Sequence, residues 1–380
     1  MASIEHASAR AGAELTVFLS GDVMTGRAID QILPHPSAPQ LYETYIGDAR
    51  DYLRLAEEVH GRIPRPVPFA YPWGDALALL DAAAPDLRII NLETSVTRHE
   101  VPAAKGINYR MHPANVPVLT AAHIDCCVLA NNHVLDWGEA GLLETLDTLA
   151  AAGINVAGAG RNAVATAQPG ALAVPGKGRV LVFAYGVRTS GVPLEWAAGA
   201  QRPGVQYLED LSGDAVEAIA AQVRAAAQPG DVVIASLHWG GNWGYRIPPA
   251  HRRFAHALID AAGVHLVHGH SSHHPLGIEH YRGHLILYGC GDLLNDYEGI
   301  GGYQAFRGEL GLLYLATLDP ADGRLRRLVL LPTCTRRFRL HRAAPAEREW
   351  LQRVLARESA PLGTCITLQA DGRLLATAAR

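Results

Sequence analysis

Short apolar runs alternate with longer amphipathic stretches along the chain, and most of the runs end abruptly in polar side chains. Leu15-Thr-Val-Phe-Leu-Ser20, Leu87-Arg-Ile-Ile-Asn91, Cys126-Cys-Val-Leu-Ala130, Gly153 to Val156, Asp231-Val-Val-Ile-Ala-Ser-Leu237 and Val264 to His268 read as buried strands. Helical spacing follows over Asp75 to Ala84, Pro113 to Ala122, Glu139 to Ala151, Asp214 to Ala227, Pro249 to Ala262 and Ala344 to Arg357. In the third of these, Leu142, Leu143, Leu146 and Leu149 share one face. Leu172 to Val174 and Val180 to Val187 form a hairpin across Pro175-Gly-Lys-Gly178. His280 to Tyr288 reads as one strand, and Leu310 to Leu318 pairs with Leu325 to Leu331. Strands alternating with helices predict an α/β fold, whose ligands gather at the carboxyl ends of the strands.

Between Gln31 and Asp75 the pattern loosens under repeated prolines, although Tyr42 to His60 looks helical. This stretch reads as an insertion over the mouth of a site. Gly158-Ala-Gly160-Arg-Asn-Ala163 matches a dinucleotide fingerprint in form, but no helix or acidic ribose partner follows, so it reads as a loop.

The 380 residues are 49% hydrophobic, enough for a large core. A net charge of −4 gives no basis for a nucleic-acid surface. The apolar runs are too short to span a bilayer, and Met1 to Glu14 lacks a basic-then-apolar signal, so a soluble cytoplasmic protein is expected. Five cysteines without a CxxC spacing argue against a disulfide framework or a zinc knuckle. Histidine is the outlier: ten of 18 fall between His238 and His284, a density that metal ligation explains better than packing.

Five strand ends carry the candidate chemistry: Asp22, Glu93, Asn132 with His133, His238, and His270 with His273. Singly, Asp22 and Asn132 also suit helix caps and His238 a core position. Together they make a carboxylate, amide and imidazole set without thiolate, which suits divalent ions of intermediate hardness. A carboxylate flanked by ligands on both sides is how two ions are held about 4 Å apart. No Gly-x-Ser-x-Gly elbow is present for serine catalysis.

Gly21-Asp22-Val-Met24, Asn91-Leu-Glu93, Asn131-Asn-His133-x-x-Asp136, His238-Trp-Gly240 and Gly269-His-x-x-His273, in that order, resemble the CapA (poly-γ-glutamate capsule synthesis) family of calcineurin-like metallophosphoesterases. The resemblance implies a four-layer α/β/β/α sandwich over residues 15–335, with residues 336–380 as a helix and tail packed on the same domain. It implies one or two divalent ions, Mn, Zn, Fe, Co or Ca. Asp22, Glu93 and His273 would hold one, and Glu93, Asn132, His238 and His270 the other. His133 matches the catalytic histidine, with Asp136 to orient it. Met24 departs from the pattern, standing where phosphoesterases place a histidine ligand. Asn242 also departs, standing where many relatives have glutamate.

No membrane anchor is evident, whereas the family's capsule-export members have one. Among soluble relatives the resemblance extends to a lasso-peptide epimerase. That implies inversion of Cα in a C-terminal residue, such as tryptophan, of a precursor peptide. Two cations on a carboxylate stabilise the ene-diolate formed when a Cα proton leaves. His133 is the first acid/base candidate, with His274 or Asp296 as the second. Arg27, Trp73, Trp239 and Asn242 are expected to contact substrate. The alternatives are a soluble CapA-like metallophosphoesterase or polyglutamate-related enzyme, and a polyglutamate-binding protein without catalysis.

Overall fold

The computed structural model describes residues 14–379; the stretch Met1 to Glu14, read as lacking a signal sequence, lies outside them except for Glu14. Two mixed sheets pack face to face. The first, of ten strands, places Leu15–Val23 beside Leu87–Leu92, Cys126–Val128 and Asn155–Ala157, all parallel. On its other side Leu15–Val23 runs antiparallel to Leu310–Leu318, which pairs with Leu325–Arg336. The second sheet has seven strands. Its parallel centre is Gly178–Val187, Val232–His238, Leu266–His270 and His284–Leu287.

Period-two alternation sets the layers. In Gly178–Val187, the side chains of Leu181, Phe183, Tyr185 and Val187 join a core with Val216, Ile219, Phe254 and Leu258 from helices Gly213–Ala226 and Pro249–Ala261. The intervening Val180, Val182 and Ala184 join the other core, shared with the first sheet. That core also takes Leu80 from helix Asp75–Ala83 and Leu142, Leu146 and Leu149 from helix Gly138–Ala151. The result is an α/β/β/α sandwich, as expected.

Three elements differ from the sequence reading. His280 to Tyr288 is not one strand: Arg282 (φ 51°) and Gly283 (φ 86°) turn the chain, so Ile278–Tyr281 folds back on His284–Leu287. The expected helix from Tyr42 starts only at Ala49, where the Asp48 side chain accepts from the Arg50 N–H. Beyond helix Pro345–Ser359, strands Thr364–Leu368 and Leu374–Ala378 extend the first sheet, so the C-terminus contributes more than a helix and tail. Among the described residues no helix is long and apolar enough to cross a membrane.

Candidate metal centre

The alternation that builds the inter-sheet core also builds the site. In Val232–His238, Val232 and Ile234 face the first sheet, and the next residues on that face are Ser236 and His238. In Leu266–His270 the same face carries Leu266, His268 and His270. The apolar core therefore gives way to a column of polar groups toward the carboxyl ends. The Ser20 carbonyl contacts His268 Nε2 at 2.7 Å, and His268 Nδ1 lies 3.1 Å from Ser236 Oγ. Ser236 Oγ is 2.8 Å from His270 Nε2, His270 Nδ1 is 2.8 Å from His238 Nδ1, and His238 Nε2 is 2.9 Å from Asn132 Oδ1. Each buried ring thus has a partner, as buried polar groups require.

Asp22 meets this column from the opposite sheet. Its Oδ1 accepts from Asn91 Nδ2 at 2.7 Å, and Asn91 in turn accepts from Asn131 at 3.0 Å. Asn131 also accepts from the His133 N–H, so the first of the paired asparagines holds the loop while the second presents its side chain. Asp22, His238 and His270 offer ligand atoms within 4.8 Å of one another, and so do Asp22, His273 and Asp292. Asp22 is common to both groups, whereas the resemblance implied Glu93 in that position. Glu93 lies against Asp22, with its Oε1 3.7 Å from His238 Nε2.

Asp292 was not expected. It supplies an oxygen to the group that Met24 leaves short; the Met24 sulfur instead accepts the Gly26 N–H at 3.2 Å. Two glycines bring Asp292 there. A Cβ on Gly21 would stand 1.8 Å from the Gly291 carbonyl oxygen, so only a glycine lets the two strands close and sets Asp22 beside Asp292. His273 Nδ1 is 2.9 Å from Asp292 Oδ1, and its Nε2 is 3.0 Å from Asn242 Nδ2.

The charge balance fits a cation. Asp22, Glu93 and Asp292 are all buried, and Asp22 Oδ2 has no hydrogen-bond partner among the described residues. Burial, then the Asp292 charge, pushes the Asp22 carboxyl up to about 7. Burial and the Asp22 charge raise Glu93 well above the carboxylate range. Burial holds His238 and His270 well below the usual imidazole value, in the neutral form that ligates metal. Burial opposes protonation of His273, but the adjoining Asp292 outweighs it and the pKa rises. Buried carboxylates crowded beside neutral imidazoles are costly without a positive partner, and two divalent ions would supply one.

His133 borders this cluster. Its Nδ1 lies 2.6 Å from Asp136 Oδ2 and its Nε2 3.9 Å from Glu93 Oε1. The Tyr109 ring stacks on it with centroids 3.9 Å apart. Burial brings its pKa down to about 4, against the pull of Asp136. Lys105, missed in the sequence, donates to Asp136 Oδ1 at 2.8 Å and to the Asn132 carbonyl. The Tyr109 N–H donates to Asp136 Oδ2 at 2.6 Å.

A cavity of about 860 Å³ opens over these groups and is lined by Arg27, Glu93, Asn132, His133, Asn242 and His273, among others. Tyr45, Tyr52 and His60 of the proline-rich stretch line it as well. Four other residues expected at the site have different surroundings. Trp73 is fully buried and donates to the Val118 carbonyl; Trp239 stacks between His251 and Tyr288 in the core of the second sheet. Asp296 is enclosed by the Arg27 guanidinium and the Ala28 N–H, which leaves it no free face. His274 accepts the Gly244 N–H and stacks on Phe306, supporting the loop that carries Asn242 and Trp243. Arg27 lies on the cavity wall, but its guanidinium is held by Asp296 and Glu43.

An α/β/β/α sandwich thus carries oxygen and imidazole donors that converge at strand ends around a shared aspartate. The chain belongs to the bacterial capsule synthesis protein PGA_cap family, whose model matches residues 16–297. It is 51% identical over 362 residues, 95% of each chain, to a probable polyglutamine synthesis accessory protein of Mycobacterium tuberculosis. It is 24% identical to the PGA biosynthesis protein CapA of Bacillus subtilis, covering 74% of this chain and 63% of that one. A solved phosphatase from Mycoplasma pneumoniae is 11% identical, with a TM-score of 0.45 over 89% of this chain and 97% of its own.

Proposed function

We propose that the protein is a metal-dependent hydrolase of the phosphoester type that serves the assembly of glutamate- or glutamine-containing chains. The observation that carries the chemistry is Asp22 shared between two donor groups, with His133 Nε2 turned toward them. The names of the relatives, polyglutamine synthesis and PGA biosynthesis, support the chain-assembly setting.

Asp22, Asn132, His238 and His270 would hold one ion and Asp22, His273 and Asp292 the other, with Glu93 adjoining both. Bound there, two ions neutralise an anionic substrate group and lower the pKa of a water. The chain's own residues do the rest. Asp136 fixes the proton on His133 Nδ1, so the Nε2 lone pair faces the reacting group. Tyr109 keeps the ring in plane, and His133 takes the proton released in attack and returns it to the leaving oxygen. Lys105 balances the Asp136 charge, and Asn242 keeps the His273 ring turned to the cluster.

The test is protein stripped of metal and reloaded with Mn, Zn or Co, assayed on aryl phosphate mono- and diesters. Metal-stimulated release that falls by about two to four orders of magnitude in His133→Ala is expected. Release indifferent to metal, or unchanged in His133→Ala, overturns the reading.

Peptide epimerisation is the second reading. The aromatic rim of Trp243 and Tyr303, with ring centroids 4.0 Å apart, favours it, because it would seat an aromatic C-terminal residue. Inversion needs an acid and a base on opposite faces, and of the three candidates read from the sequence His274 and Asp296 are engaged, which leaves His133. Metal-dependent deuterium uptake at one Cα of a peptide would establish it.

A further inference from the structure

Tyr109 and Tyr297 meet between His133 and His273, with their hydroxyls 3.0 Å apart. Tyr109 comes from one side, its ring stacked on His133; Tyr297 comes from the other, its ring edge-on to His273 at 5.4 Å between centroids. Each backbone is tied to the same machinery. The Tyr109 N–H donates to Asp136; the Tyr297 N–H donates to Asn295 Oδ1 at 3.1 Å, while Asn295 Nδ2 donates to Asp292. The Arg27 guanidinium lies over both rings, 4.8 and 5.6 Å from their centroids, and is itself held by Asp296 and Glu43. Both tyrosines line the cavity. Two hydroxyls carry two hydrogens, and the contact between them uses one. Among the described residues neither hydroxyl has another hydrogen-bond partner, so one hydrogen is left for the cavity.

We propose that Tyr109 and Tyr297 form an oxyanion donor, in which the hydroxyl that accepts from its neighbour gives its own hydrogen to an oxygen of the group held at the metal donors. The inference rests on the reading of the centre as a hydrolase site for a phosphoryl group. A phenol in water ionises only near about pH 10, and burial raises both of these further, so the pair donates without giving up a proton. A hydroxyl that accepts a hydrogen bond is polarised by it and becomes the better donor. Either atom can be the donor within the pair, so the outward hydrogen can come from Tyr109 or from Tyr297. Negative charge that builds on a phosphoryl oxygen as the leaving group departs thus meets a donor already in place.

Orthovanadate takes the five-coordinate shape of a phosphoryl group in transfer. Calorimetric titration of the Mn-loaded protein with it tests the pair in wild type, Tyr109→Phe, Tyr297→Phe and the double variant. Phenylalanine keeps the ring contacts with His133 and His273. In either single variant the remaining hydroxyl still offers its hydrogen, without a polarising partner, so affinity should fall by about three-fold. The double variant offers none and should bind about a hundred-fold more weakly, well beyond the product of the singles. Turnover of aryl phosphate should follow the same pattern, with metal content unchanged. No binding of vanadate by wild type, a double variant no weaker than that product, a single variant that takes the whole loss, or a loss matched by loss of metal overturns the inference. A metal-stimulated hydrolase whose vanadate affinity ignores the hydroxyls sinks only the pair. Vanadate affinity that follows them in a protein without turnover sinks only the hydrolase reading.

Discussion

Replacing Asp22 by asparagine separates the metal role of that carboxylate from a structural one. Asn91 Nδ2 would still donate to the retained oxygen, and the new amide would face Glu93 in place of a second carboxylate. In metal-free protein the Asp22 carboxyl is pushed from 3.8 to about 7 by burial and Asp292. A raised carboxyl pKa means that the folded state holds a proton the unfolded state has already lost. Stability therefore falls as pH rises through that window. Roughly three pKa units at 1.36 kcal/mol each make the loss about 4 kcal/mol at full deprotonation. An uncharged amide at this position carries no such penalty. Metal-free Asp22→Asn should thus be more stable than metal-free wild type at about pH 8, by up to about 4 kcal/mol, and little different near pH 4. Excess metal should reverse the order. Wild type gains about 4 kcal/mol at a thousand-fold excess over Kd, while the variant, short of one donor in both groups, gains little. Urea unfolding with chelator and with Mn, at both pH values, reads all of this. A metal-free variant less stable than wild type at the higher pH, or equal stabilisation of both proteins by metal, would refute the reasoning.

Gly21→Ala places a Cβ 1.8 Å from the Gly291 carbonyl, so the strands must part; metal content should fall sharply, with stability down by about 3 kcal/mol or more, read by metal analysis and denaturation. Asp136→Asn removes the acceptor that fixes the His133 tautomer; kcat should fall by about two orders of magnitude or more with metal content unchanged. Ser271 lies between His270 and His273 at φ 96°, where only glycine is at ease, so Ser271→Gly should stabilise the fold by about 1 kcal/mol, seen as a raised urea midpoint.

The layers and most of the elements are legible in the sequence because strands and helices bury apolar faces at different periods. Turn chemistry is harder to read. Arg282-Gly283 is a two-residue hairpin turn hidden in an apolar run. Asp371-Gly372 is a strong hairpin signal between Thr364–Leu368 and Leu374–Ala378, with Gly372 at φ 86°, in a stretch that otherwise reads as tail. Trp73 reads as a substrate contact because it lies in the proline-rich insertion, and Trp239 because it follows His238, yet their ring N–H groups each find a backbone carbonyl in the core. An aromatic residue beside a motif is as well explained by packing as by substrate.

At the site, the legible donors are those that end an apolar run, where a polar side chain has no packing reason to be. Asp292 ends such a run too. Its Gly291-Asp292 repeats Gly21-Asp22, and the two pairs are neighbours in register, Asp22 opposite Asp292. That repeat is the signal for Asp292, whereas Asp296, the expected residue of the same stretch, is bound to Arg27. Lys105 lies in a loop without periodicity; its only mark is that it is one of two lysines in the chain, with Lys177. Asp292 stands where the resemblance implies that Met24 leaves a ligand missing. Where a histidine is missing, a second glycine-aspartate pair brings in a carboxylate, and the added negative charge must be offset. His273, whose pKa the Asp292 charge raises, meets part of it, and a bound ion would meet the rest, since Lys105 is committed to Asp136 and Arg27 to Asp296 and Glu43. A metal bound there would therefore matter more to the site than to one built on an extra neutral imidazole. Asp292→Asn should weaken metal binding in the His273 group and, by removing the charge that raises both, bring the Asp22 and His273 pKa values down in the metal-free protein, as NMR titration would read.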